Sequence, residues 1–180
     1  MKKIILSLIL VTLFTNGLRS QEKFGRTLNL GAGIGYYGYA PALSLNYEFD
    51  VFKNFTLAPF VTVMSHRHYR YWGDNNKNYP YRNYYYRETI IPIGVKATYY
   101  FDELLHAGEK WDFYAAASLG VAYRTTTWDS DYYGDRVVRS YSSPLYGDIH
   151  IGAEAHLSSK VGLFLDLSTG LSTLGLGFHF

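Results

Sequence analysis

Leu174-Gly175-Leu176-Gly177-Phe178-His179-Phe180 closes the chain, and its period of two decides the fold. On a strand, successive side chains point to opposite faces, so Leu174, Leu176, Phe178 and Phe180 share one face and Gly175, Gly177 and His179 the other. On a helix the same residues would scatter around the axis. The two interior glycines would then each cost about 1 kcal/mol relative to alanine.

The alternation recurs upstream. Leu28, Leu30, Ile34 and Tyr36 oppose Gly31, Gly33 and Gly35, and Leu43, Leu45, Tyr47 and Phe49 oppose Ser44, Asn46 and Glu48. Phe55, Leu57, Val61 and Val63 oppose Thr56, Ala58 and Thr62, with Phe60 and Met64 as large residues on the small face. Ile91, Ile93, Val95, Tyr99 and Phe101 then oppose Gly94, Lys96 and Thr98, and Phe113, Leu119, Val121 and Tyr123 oppose Ser118, Gly120 and Arg124. Finally, Leu145, Ile149, Ile151 and Leu157 oppose Asp148, His150, Glu154 and His156, and Val161, Leu163, Leu165 and Leu167 oppose Gly162, Asp166 and Ser168. Pro59 and Pro92 each remove a ladder donor and predict a bulge.

Eight strands with one bulky apolar face predict an all-β, closed, antiparallel, up-and-down transmembrane barrel. The large aliphatic face meets lipid, while small residues and a few ionisable ones fill the narrow interior. Closure also satisfies every backbone donor inside the bilayer. A soluble lipocalin-like binder would alternate too, but its outer face must be charged enough to dissolve, and here the second face is too small and too sparsely charged.

Residues 1–20 have the parts of a cleavable signal peptide: Lys2 and Lys3, an apolar run over 4–14, then small or polar residues around Gly17 and Ser20, either of which could mark the cut. Eleven uncharged, mostly apolar residues are too few for a membrane-spanning helix. The barrel domain is therefore expected over 21–180. Cleavage after Ser20 removes three of the 17 basic residues, leaving 14 against 15 acids, so no general attraction to nucleic acid is expected. The chain has no cysteine, which excludes disulfides and lipid attachment at an N-terminal cysteine.

Aromatic residues gather at the strand ends. Tyr47, Phe49, Phe55, Tyr99, Phe101, Trp111, Phe113 and Phe180 form one expected girdle, and Tyr36, Tyr123 and Trp128 the other. Turns at 50–54 and 158–160 are short, that at 102–110 is longer than expected, and all lie on the periplasmic side with both termini. The outer connections are 37–40, 66–87, 125–143 and a tight return at 168–172.

These residues resemble the small outer-membrane barrels of the OmpA/OmpX type and the broader outer-membrane protein β-barrel domain family. The resemblance implies that Leu174, Leu176, Phe178 and Phe180 act as the signal read by the barrel-assembly machinery. It also implies residence, as a monomer, in the outer membrane of a Gram-negative-type bacterium.

By the same parity Glu48, Lys96, Arg124, Asp148, Glu154 and Asp166 face the lumen, where buried charges must be paired. An internal salt-bridge network follows, and a wide pore does not. His150, His156 and His179 also point inward, the last two close to Glu154. His66 and His68 share the inward face at the outer mouth. No ligand spacing is diagnostic, so no metal or cofactor is assigned.

The segment 66–87 holds seven tyrosines, Trp72, four arginines and Lys77 against Asp74 alone. As an exposed loop it could stack on sugars and pair with lipopolysaccharide phosphates or another extracellular ligand. Arg67, Arg70, Tyr71, Trp72, Arg82, Tyr84, Tyr86 and Arg87 are the candidate contacts. A strand extension meeting headgroups at the girdle fits the composition equally well.

No catalytic residues are assigned. Small outer-membrane barrels include lipid A deacylases with a His-x-Ser motif, and His156-Leu157-Ser158 matches it in spelling, but Ser158 falls at a periplasmic turn and no Glu follows. The expected function is thus a structural, adhesive or surface-ligand role through 66–87 and 125–143. A lipid-modifying enzyme and a narrow channel are the alternatives.

Overall fold

The computed structural model describes residues 26–36, 39–73, 80–101, 105, 110–134, 136 and 144–180. The signal peptide expected over 1–20, and most of the 102–110 turn, lie outside them. The strands are β1 (Arg26–Gly35), β2 (Ala40–Phe52), β3 (Phe55–Trp72), β4 (Arg82–Tyr100), β5 (Trp111–Trp128), β6 (Leu145–His156), β7 (Val161–Ser168) and β8 (Leu171–His179). Each pairs with the next in antiparallel fashion, and β1 pairs with β8, so the sheet closes on itself as an eight-stranded barrel.

The terminal segment forms the closing seam. Leu28 faces Phe178, Leu30 faces Leu176 and Ala32 faces Leu174, and the Phe180 amide donates to the Arg26 carbonyl at 2.9 Å. Both ends of the described chain therefore sit at one rim, together with the turns 53–54 and 157–160. Asn54, in the first of these turns, takes the positive φ of 61° that an asparagine tolerates.

Bulky residues turn outward. Leu43, Leu119, Ile149, Leu165 and Leu174 belong to a continuous exposed apolar belt, which water would penalise and lipid accommodates. Tyr47, Tyr99 and Trp111 edge the belt at the terminal rim, and Tyr36 and Tyr123 at the other. Trp128, expected in that second girdle, instead points inward and packs on Tyr86 and Tyr132 at 4.6 and 4.7 Å.

Two further expectations are corrected. Register is constant through Pro59 and Pro92: each keeps a partner on one side, Val95 and Ala122, the ladder omits its pair on the other side only, and the register shift lies at Asp50/Phe52. A gap between hydrogen bonds thus absorbs the missing donor without an extra residue. The segments 66–72 and 82–87 continue β3 and β4, the strand extension of the two readings open for 66–87, and 125–128, expected as loop, continues β5. Aliphatic alternation ends where lipid ends, but tyrosine, threonine and tryptophan sustain the strand beyond it.

Inside, small residues make room for large ones. A Cβ on Gly152 would stand 2.3 Å from the Tyr114 ring, so the buried Tyr114 depends on that glycine. Ala40, Ala42, Met64, Ile90 and Leu171 pack together across the interior as an apolar plug. On the terminal-rim side of it lies a polar cavity of about 40 Å³, enough for a few waters and too small for a solute.

Candidate functional site

The lumen charges expected from parity are all inward, and they separate into clusters. Glu48 accepts from Tyr100 at 2.7 Å, from Asn29 at 3.2 Å and from Thr56. Lys96 on β4 pairs with Asp166 on β7, which also takes the His150 ring at 2.7 Å and the Tyr114 hydroxyl at 3.1 Å. Glu154 meets His179 at 2.9 Å, and beside it His156 meets Asp112 at 2.6 Å.

Asp148 serves a turn. Its carboxylate accepts from the Gly170 amide at 2.7 Å and from Ser168 and Thr169 hydroxyls at 2.7 and 2.8 Å, which secures the tight β7–β8 return. Arg124, above the apolar plug, bonds Glu88 at 3.2 Å, and His68 lies 3.6 Å from the same carboxylate. Parity found the charges. It missed the buried hydroxyls of Tyr100 and Tyr114 and the half-buried one of Tyr146, although Tyr114 follows from the outward Phe113 before it.

The outer hairpin divides its residues by the same rule. Inward, Trp72, Tyr84, Tyr86, Trp128 and Tyr132 form an aromatic plug over the mouth; Tyr132 touches Trp72 and Tyr84 at 5.3 Å each. Tyr84, expected on an exposed surface, is buried there, and Trp72 and Tyr86 are half-buried. Arg82 covers the Tyr84 ring at 4.6 Å and bonds Asp131 at 3.1 Å. Arg70 lies in register with Tyr84 at the rim.

Outward, a different set comes together. Arg67 and Arg87 are direct partners across β3 and β4, and Tyr69 and Tyr85 are the next outward pair. Arg67 lies over the Tyr85 ring at 5.0 Å, and Tyr71 stacks with Tyr81 at 5.8 Å. Ser65, Thr89 and Thr125 form the outward layer beneath, directly above Val63, Ile91 and Tyr123. Among the described residues no carboxylate pairs with Arg67 or Arg87. Lys77, Asp74 and most of 135–143 lie outside the described residues.

The His156-Leu157-Ser158 triplet is not assembled as a nucleophile and base. The Ser158 hydroxyl accepts from the amides of Lys160 and Val161 at 3.2 and 3.1 Å, and the His156 ring is turned to Asp112.

No protein-family model matches this chain, and no curated protein matches it. Among solved structures, it is similar to a transmembrane β-barrel from de novo design, at 10% identity over 88% of this chain and 98% of that one, with a TM-score of 0.49. It is also similar to Ail, the attachment invasion locus protein of Yersinia pestis. The Ail complex with the heparin analogue sucrose octasulfate gives 7% identity over 86% and 96% of the two chains and a TM-score of 0.46. Ail in a phospholipid bilayer nanodisc gives 11% identity over 88% and 100%, and 0.45.

Proposed function

We propose that this chain is an integral outer-membrane barrel with periplasmic termini, without catalytic activity, whose β3–β4 hairpin grips the phosphates of lipopolysaccharide. The observation that carries the reading is the Arg67–Arg87 pair. Like charges directly opposite one another destabilise a sheet, and these two stand on the outer face one hydroxyl layer above the aliphatic belt. A phosphate between two guanidiniums relieves the repulsion and accepts several charge-assisted hydrogen bonds. Flanking tyrosines supply flat faces for sugar.

Such a contact would tie the barrel to its leaflet and hold the hairpin upright for adhesion or ligand contact. The test is binding of purified lipopolysaccharide to the refolded barrel. Arg67→Gln with Arg87→Gln is expected to weaken it, and added salt to weaken the wild type more than the variant. Equal binding by both proteins rejects the reading.

A further inference from the structure

Four side chains from three strands converge inside the barrel at the rim that holds Phe180. Asp112 on β5 stands opposite Glu154 on β6, His156 lies two residues further along the same face, and His179 arrives from β8. One ligand atom each from Glu154, His156 and His179 lies within 4.8 Å of the others. β7, which separates β6 from β8, sets Phe164 opposite Glu154 and Gly162 opposite His156, and Gly162 in turn pairs with Gly177. A Cβ on Gly162 would fall 1.8 Å from the Glu154 Oε1, and one on Gly177 2.6 Å from it. The two glycines are what allow groups from β6 and β8 to meet.

Asn29 supplies an independent observation. Its Nδ2 donates to Asn46 and Glu48 at 3.0 and 3.2 Å, which fixes the orientation of the amide. Its Oδ1 is buried without a hydrogen-bond partner, and sits 2.9 Å from the same Gly177 Cβ position that Glu154 Oε1 approaches. An orphaned acceptor beside a carboxylate is an environment that a cation and its bound water complete. The His179 ring is also held as metal-binding imidazoles are: Nδ1 bonds the Thr27 hydroxyl at 3.0 Å, which aims Nε2 at Glu154.

We propose that Glu154, His156 and His179 bind a divalent transition-metal ion of the zinc class, with Asp112 as a fourth ligand or as the group that orients His156. Two imidazoles with carboxylate oxygen form a donor set suited to zinc. The 2.9 Å between His179 Nε2 and Glu154 Oε1 needs to open by only a few tenths of an ångström for both to ligate at about 2.0–2.2 Å. The ion would join β6 to β8 across β7 and brace the strand that closes the barrel. The competing account is two independent histidine–carboxylate pairs.

Calorimetric titration of Zn²⁺ into the full-length barrel refolded in detergent separates them, with heat-dependent gel mobility confirming that each protein is folded. One ion per barrel is expected, with tenfold or greater weakening in His156→Gln and in His179→Gln. The double change His66→Gln, His68→Gln should keep wild-type affinity. Glu154→Gln reads the same site should a histidine variant fail to fold, and Co²⁺ absorption reports the ligand set independently. A wild-type barrel that takes up no Zn²⁺, or uptake unchanged in the folded site variants, overturns the proposal.

Discussion

The Lys96 ammonium on β4 closes on the Asp166 carboxylate on β7, an ion pair between strands that are not neighbours in the sheet. It spans the interior and holds opposite walls together. Removing one member of a buried pair strands the other, at a cost of about 3–5 kcal/mol. Lys96→Met should therefore lower stability by about 3 kcal/mol, since His150 and Tyr114 still bond Asp166. The double change with Asp166→Asn should cost less than the single one. Urea unfolding in detergent, followed by tryptophan fluorescence, checks both.

Tyr114 occupies space that Gly152 leaves open. Gly152→Ala is expected to destabilise by about 1–3 kcal/mol through overpacking. Adding Tyr114→Ala should recover part of that loss, a non-additivity expected only of groups in contact. Equal losses with and without Tyr114 would show that the alanine acts through backbone effects instead.

The apolar plug of Met64, Ile90, Leu171, Ala40 and Ala42 separates the polar cavity from the outer mouth. Planar bilayers containing the wild-type barrel should show no steady conductance. Reproducible unitary steps that change on Lys96→Gln would instead reveal an ion path past the plug.

Tyr132 is fully buried against Trp72, Tyr84 and Trp128. Tyr132→Ala should cost about 3 kcal/mol and expose the 129–136 segment to proteolysis, whereas Tyr132→Phe should preserve protection. Limited trypsin digestion, with Arg136 as the site to watch, distinguishes the two.

Arg82 is already engaged by Asp131, unlike Arg67 and Arg87. Arg82→Gln should leave lipopolysaccharide affinity within about twofold of wild type, since an exposed pair contributes little. A loss as large as that of Arg67→Gln would extend the anion site to the hairpin tip.

The eight strands and their inward charges were legible because lipid imposes a strict rule on outward residues, as in Leu163, Leu165 and Leu167 of β7. The rule lapses above the bilayer. There β3 and β4 continue on Tyr69, Tyr71 and Tyr85, and an aliphatic pattern could not follow them. Partners were less accessible than positions: Lys96 and Asp166 are 70 residues apart, and their meeting depends on closure of the whole sheet. Arg67 and Arg87 are recognisable as cations from sequence, but only the hairpin register sets one against the other.

The Phe180 amide bonded to the Arg26 carbonyl means that β1 cannot complete its pairing until β8 is in place. Until β8 arrives, β1 and β7 both expose raw edges, which hydrocarbon tolerates poorly. Assembly into the bilayer is thus bound to be a late, all-or-none event. Removing residues 172–180 should therefore prevent closure of the sheet rather than yield a smaller barrel.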